Sequence, residues 1–226
     1  MAGRESGRPG SERDSVSELI TERLSVYLRC LSLLESEGQK TVSSHELARR
    51  FHLNSAQIRK DLANFGELGI RGVGYSVGGL RTHLRETLGL DRTRSMIIVG
   101  AGNLGLALAD YRGFQAGGFS IRALLDIDPL KYGTAARSGV VVHPLDELEA
   151  ITARENVEIG VIAVPAPAAQ GVYDRMVDAG ICAILNFAPA QLRPREGVKL
   201  RNVDLRINLE ALSYYLKNAD EESEGI

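Results

Sequence analysis

Six consecutive residues, Gly100-Ala101-Gly102-Asn103-Leu104-Gly105, have the types and spacing that bind a pyrophosphate. The first glycine permits a tight turn, the second lets a phosphate approach the backbone, and the third lets the following helix lie close on a sheet. A lone G-x-G-x-x-G says little. This one follows an apolar run at 95–99 and precedes a helical pattern at 106–111, which is the context the motif requires. The N-terminus of such a helix offers unpaired N–H groups and a partial positive charge to phosphate. A second apolar run, 120–125, ends at Asp126, 26 residues beyond Gly100. A carboxylate there can accept from the adenosine ribose hydroxyls and would repel a 2′-phosphate, so the spacing favours NAD over NADP. Asp128 is the near alternative.

A second chemistry is legible earlier in the chain. Ile58, Leu62 and Phe65 fall at i, i+4 and i+7 of a helical stretch and face inward, which turns Ala56, Arg59, Lys60 and Ala63 outward. Two cations flanked by small residues let a helix come close to a polyanion, where Arg can pair with guanine and Lys with phosphate or base edges. That stripe alone would equally suit a solvated helix face. The segment 69–75, Gly-Ile-Arg-Gly-Val-Gly-Tyr, changes the balance. Its β-compatible side chains broken by glycines read as a tight hairpin, with Arg71 at the tip and able to enter an A·T-rich minor groove.

The elements that must position these groups follow from periodicity. Ile20, Leu24, Tyr27, Leu28, Leu31 and Leu34 mark a first amphipathic helix, which Gly38 ends. Ser43 to Glu46 reads as a capping box, the Ser43 hydroxyl accepting the Glu46 amide while Glu46 reaches back to Ser43 N–H. Leu47, Ala48 and Phe51 give a short second helix, and a turn at 52–55 with Asn54 as cap leads into the third. Leu80, Leu84 and Leu88 mark a fourth. Two short helices, a basic third helix and a hairpin make a winged helix-turn-helix. Beyond the glycine loop, strands near 140–142, at 159–164 and at 184–185 alternate with helices at 145–152 and from 168 to 179. Continuous apolar strands of this kind form a parallel sheet covered on both faces. Ligand then sits at the strands' carboxyl ends, making Pro165 and Asn186 candidates for the nicotinamide side.

Bulk properties agree with an α/β chain of two domains: 226 residues, 44% apolar and 25% charged. No apolar run is long enough to cross a membrane, and residues 1–15 lack the apolar region of a signal peptide. The expected organisation is a disordered tail at 1–16, a winged-helix domain at 17–90, a Rossmann-type domain at 91–204, a helix at 205–218 and a second tail at 219–226. Residues 43–85 carry a net +4, whereas residue 86 to the end carries −5, which points to a polyanion partner for the first half only. Cys30 and Cys182 have no metal-ligand spacing, so neither a metal nor a disulfide is assigned, and a reducing cytoplasm fits. Hydride transfer needs a nearby acid or base, and His45, His52, His83 and His143 are not placed to supply one. The stretch after Asn186 is also too short for a substrate domain. No catalytic residue is assigned, and the cofactor reads as a signal. The rival readings are a small NAD-dependent oxidoreductase with an accessory N-terminal module, and a DNA-binding regulator sensing another nucleotide or a sugar.

From about Thr21 to Asn218 the sequence resembles the Rex family of redox-sensing transcriptional repressors. The residues carrying the likeness are Arg23-Leu24 with Tyr27-Leu28-Arg29, Val42-Ser43-Ser44, Ile58-Arg59-Lys60-Asp61-Leu62 with Phe65-Gly66, and Arg71-Gly72-Val73-Gly74-Tyr75. Gly100 to Gly105, Asp126-Ile127-Asp128-Pro129, Val164-Pro165-Ala166, Ile184 to Pro189, and Val203-Asp204 complete them. Each is short; their order and spacing are specific. The resemblance implies a bacterial cytoplasmic homodimer that binds operator DNA when NADH is scarce and releases it when NADH fills the site. It implies a terminal helix swapped between partners, here with Leu209, Leu212, Tyr215 and Leu216, and a polar switch of Arg29, Tyr111 and Asp204. The expected cofactor contacts are the six residues of the glycine loop with Asp126, Asp128, Val164, Pro165, Asn186 and Phe187. The expected DNA contacts are Ser43, Ser44, Ser55, Ala56, Arg59, Lys60, Arg71, Gly72 and Tyr75. Two departures stand out: Ala163, where some members have Thr, and Asn64, in place of a common Tyr.

Overall fold

The computed structural model describes residues 11–224 apart from Glu67 and Arg71, with side chains described over 19–217. It divides into two compact units, with the boundary between Arg92 and Thr93, two residues beyond the expected one.

The first unit opens with α1 (Ser11–Ser36), followed by β1 (Thr41–Val42), α2 (Ser44–Phe51) and α3 (Ser55–Ala63). The strands β2 (Gly69–Ile70) and β3 (Gly74–Ser76) and the helix α4 (Val77–Thr87) complete it. The helix α1 starts inside the expected tail. No Gly or Pro interrupts Ser11–Ser36. Leu24, Tyr27, Leu31 and Leu34 of α1 pack with Leu47, Ile58, Leu62, Leu80 and Leu84 into one core, each at most 3% exposed. The small antiparallel sheet has the order β1-β3-β2. The hairpin turns through Val73 N–H donating to Ile70 O, with Gly72 at φ +82°, a left-handed conformation that a glycine adopts without strain.

The second unit carries six parallel strands: β4 (Arg94–Val99), β5 (Phe119–Asp126), β6 (Val142–Pro144), β7 (Ile159–Ile162), β8 (Ala183–Asn186) and β9 (Lys199–Asn202). Their order is β6-β5-β4-β7-β8-β9, the doubly wound arrangement whose switch point lies between β4 and β7. Side chains of β4 alternate between two cores: Ile97 and Val99 on one face, Met96 and Ile98 on the other. Between the strands run α5 (Asn103–Ala109), α6 (Arg112–Ala116), α7 (Leu148–Glu155) and α8 (Ala166–Asp178). The first core takes Leu148 and Ile151 of α7 with Val172, Tyr173 and Met176 of α8, while Ala109 of α5 lies in the second. Tyr173 is fully buried, and its hydroxyl accepts from Arg195 N–H at 2.8 Å.

Five sequence-based expectations shift. The helix after the glycine loop ends at Ala109, and α6 and β9 were not anticipated. The capping box at Ser43 is only half formed: its hydroxyl accepts Glu46 N–H at 3.0 Å, but the Glu46 carboxylate takes Gln39 Nε2–H at 2.9 Å. The last helix, α9 (Leu205–Glu224), runs past the expected end at 218, because Ala and Glu at 219–224 are strong helix formers. Leu205, Ile207, Leu209, Leu212, Tyr214, Tyr215 and Leu216 of α9 are all at least 59% exposed. Among the described residues, no helix is long and apolar enough to cross a membrane.

Candidate functional site

In the first unit, Asn54 caps α3 by accepting from Ala56 N–H and Gln57 N–H, which sets the turn between the two short helices. Ala56, Arg59, Lys60 and Ala63 are exposed, as the 100° rotation per residue demands, while Ile58 and Leu62 are buried. A groove of about 900 Å³ lies between α3 and the hairpin, and it brings together Ser43, Ser44, Arg59, Gly72 and Tyr75. Arg59 Nη1 donates to Ser44 Oγ at 3.1 Å, holding the guanidinium at the groove wall. A Cβ on Gly69 would come within 2.8 Å of the Tyr75 ring, so a larger residue there would push that ring aside. Ser55 instead lines a shallower recess at the helix-turn with His45 and Arg49. Arg71 lies outside the described residues.

Asp61, an acid, is nevertheless 1% exposed on the inner face of α3. Its Oδ2 accepts from Arg23 Nε at 2.6 Å and Tyr27 OH at 2.9 Å; Oδ1 accepts from Arg23 Nη2 at 2.8 Å and Gln57 Nε2 at 2.6 Å. Burial pushes the carboxyl's pKa up, but these bonds outweigh it and hold the group below the usual carboxylate range. The Tyr27 hydroxyl is raised well above its ordinary value by burial and by its bond to the carboxylate. The signal was available: position 61 falls at i+3 from Ile58, on the apolar stripe.

In the second unit, the three glycines have three distinct jobs. Gly100 sits at φ +106°, and a Cβ on it would lie 2.4 Å from Ala163 O, so the turn leaving β4 presses against the end of β7. A Cβ on Gly105 would lie 1.8 Å from Gly100 O; only glycine lets α5 start that close to the strand. A Cβ on Gly102 would meet nothing within 4 Å, so this position faces open space where a phosphate can approach. Asn103 and Leu104 follow as exposed residues at the start of α5, and Ala101 is buried.

A cavity of about 590 Å³ opens at the carboxyl ends of β4, β5 and β7, lined by Gly100, Gly102, Asp126, Asp128, Val164 and Pro165 among others. Asp126 is 8% exposed, its Oδ2 accepting from Ala101 N–H at 2.7 Å and Oδ1 from Asp128 N–H at 2.9 Å. Burial raises its pKa, but the bonds from Asp128 N–H, Lys131 and Ala101 N–H prevail and keep it ionised. The Asp128 carboxylate caps the following turn through Leu130 N–H at 3.0 Å. Lys131 and Arg175 also line the cavity, and the sequence reading named neither.

Other expected residues lie elsewhere. Asn186 is 1% exposed and does not line this cavity. Its Oδ1 accepts Ala188 N–H at 2.9 Å and its Nδ2 donates to Asn202 Oδ1 at 2.9 Å and Ala188 O at 3.2 Å, so it shapes the loop after β8. Phe187 packs partly buried against the second core. Tyr111 lies beyond the end of α5, exposed, with its ring over Gly113 and edge-on to Phe114 at 5.1 Å. Asp204 precedes α9 and pairs with Arg206 at 2.9 Å. Arg29 is exposed on α1 in the first unit.

Residues 15–63 match a family described as putative DNA-binding protein N-terminus, and residues 91–190 one described as CoA binding domain. The redox-sensing transcriptional repressor Rex of Syntrophomonas wolfei is 50% identical over 201 residues, covering 89% of this chain and 95% of the relative. That of Streptomyces coelicolor is 46% identical over 215 residues, covering 95% and 83%. Among solved structures, the Rex-family repressor RSP in complex with β-NAD⁺ and operator DNA has TM-score 0.85 at 39% identity, covering 92% of this chain and 95% of that one. Its complex with β-NADH has TM-score 0.81 at 38% identity, covering 92% and 97%.

Proposed function

The chain belongs to the Rex family of redox-sensing transcriptional repressors, and from that premise we propose how its two units divide the work. It is a regulator that binds operator DNA and senses NADH against NAD⁺. The observation that carries this reading is the reach of the likeness, which spans both the helix-turn-helix unit and the nucleotide unit at 46–50% identity.

On DNA, α3 enters the major groove with Arg59 and Lys60 toward base edges and phosphates, while Ser43, Ser44, Ser55 and Ala56 meet the backbone. The hairpin, with Arg71, Gly72 and Tyr75, flanks the minor groove. The groove between α3 and the hairpin supports this division, because Ser44, Arg59 and Tyr75 share its walls.

In the second unit, the open face of Gly102 and the start of α5 receive the pyrophosphate of NAD(H), and Asp126 with Asp128 receives the ribose. Val164 and Pro165, at the end of β7, border the nicotinamide side. The bound dinucleotide supplies a ring that is cationic when oxidised and neutral when reduced. Only a difference in contact free energy between those forms can move a conformational equilibrium. Arg29, Tyr111 and Asp204 form the polar set whose partners exchange between the two states of a homodimer, and the exposed apolar face of α9 packs on the partner. No residue acts as a catalyst. Action on DNA places the protein in the cytoplasm, and control of respiratory or fermentative genes follows from the signal sensed.

Titrating a fluorescent operator duplex with NADH and NAD⁺ separately tests the reading. Release by NADH with little or no release by NAD⁺ is expected. Absence of operator binding under any redox condition, or turnover of a hydride acceptor, would refute it.

A further inference from the structure

Lys131 stands beside the residue expected to recognise the ribose. Its Nζ lies 3.0 Å from Asp126 Oδ2 and 4.0 Å from Asp128 Oδ2, and the side chain lines the same cavity. The local fold holds it there. Asp128 caps the single helical turn Pro129–Lys131, and Lys131 N–H donates to Asp128 O at 3.1 Å. A carboxylate has about four lone-pair positions. On Asp126, Ala101 N–H and Lys131 occupy both positions of Oδ2, and Asp128 N–H takes one on Oδ1. One acceptor position remains, whereas a ribose presents two adjacent hydroxyls. Asp126 cannot receive both without displacing its lysine.

We propose that Lys131 is the second half of the ribose-recognising pair and the residue that determines specificity there: Asp126 accepts from one hydroxyl, and the Lys131 ammonium donates to the oxygen of the other. The inference rests on the reading that this cavity takes NAD(H). It has a consequence for selectivity. Asp126, Asp128 and Lys131 together carry a net negative charge, which disfavours a 2′-phosphate. The cation such a phosphate needs is nevertheless already in place, held chiefly by the Asp126 carboxylate with Asp128 at the edge of pairing distance. Arg175, the other cation lining the cavity, does not fill that role, because its guanidinium is engaged by Glu149 and Asp146. Preference for the unphosphorylated ribose therefore resides chiefly in the charge of Asp126 against Lys131.

Calorimetric titration of the full chain with NADH and with NADPH, for the parent, Asp126→Asn, Lys131→Met and the double variant, tests the proposal. Asp126→Asn should weaken NADH and strengthen NADPH binding, each by at least about tenfold, as removal of one unit charge near a phosphate requires. The double variant should lose the NADPH gain. Lys131→Met, at a half-exposed position that spares the fold, should weaken NADH by roughly tenfold, the loss of one charge-assisted hydrogen bond, and gain nothing for NADPH. A folded Asp126→Asn protein that loses NADH yet gains no NADPH affinity would overturn the proposal and leave the redox-sensor reading intact, as would unchanged NADH affinity in Lys131→Met. A parent protein that binds neither dinucleotide would overturn that reading and the proposal together.

Discussion

Replacing Asp61 by Ala isolates the buried ion pair that ties the recognition helix to α1. The carboxylate is 1% exposed and accepts four hydrogen bonds, from Arg23 twice, Tyr27 and Gln57. Breaking a buried pair by removing one partner costs about 3–5 kcal/mol, because the other charge stays uncompensated. Here the Arg23 side chain remains 34% exposed and can be partly rehydrated, which places the expected loss near the lower end, about 3 kcal/mol. Tyr27→Phe removes one bond and should cost about 1 kcal/mol. The carboxyl's pKa is lowered in the folded state, so its contribution is present above the unfolded value and is lost as pH falls through the folded one. The penalty of Asp61→Ala should therefore be constant above about pH 5 and shrink below about pH 4. Urea unfolding followed by circular dichroism at several pH values measures both, and operator affinity should fall in parallel as α3 loses its fixed orientation. An Asp61→Ala protein within about 0.5 kcal/mol of the parent at neutral pH would refute the reasoning, since that is the range of an ordinary surface substitution.

Other positions give equally direct tests. Arg59→Ala and Lys60→Ala should each cost about 1–3 kcal/mol of operator affinity where the side chain reads a base, or lower the salt slope by about one where it meets phosphate; fluorescence anisotropy at several salt concentrations separates the two. Gly105→Ala and Gly102→Val should behave oppositely. The first drives a Cβ into Gly100 O and lowers the thermal midpoint, whereas the second leaves stability near that of the parent and abolishes NADH binding. Asp204→Ala should keep NADH affinity within about tenfold yet uncouple it from operator release, because coupling and affinity are separate quantities. Release of that variant at the parent's NADH/NAD⁺ ratio would exclude the polar exchange.

What could be read from the sequence tracks what is local. The glycine loop, the caps at Ser43 and Asn54 and the outward stripe of α3 depend on spacings of a few residues, and each is found where its spacing put it. The strand β9 was missed because its exposed Lys199 and Arg201 give an edge strand no apolar run. Asn186 was assigned to the cofactor because it ends a strand, but its amide group is satisfied by Asn202 and Ala188, partners that no periodicity reveals. Lys131 and Asp61 were passed over for a related reason. The sequence shows a charge, and only the fold shows which charge is opposite it.

The bond from Ala101 N–H to Asp126 has a meaning beyond recognition. It runs between the glycine loop after β4 and the end of β5, closing the turn onto the neighbouring strand through groups of the protein itself. A loop braced by such an internal bond has less backbone to order when a dinucleotide binds. Ordering costs would otherwise be subtracted from affinity equally for both redox forms and would slow capture. A pre-shaped loop raises affinity for both forms alike, leaves their discrimination to the nicotinamide end, and lets occupancy follow a changing ratio about as fast as the ligand can diffuse and dissociate. On the reading that Asp126 receives the ribose, the same carboxylate would also govern how promptly the protein reports.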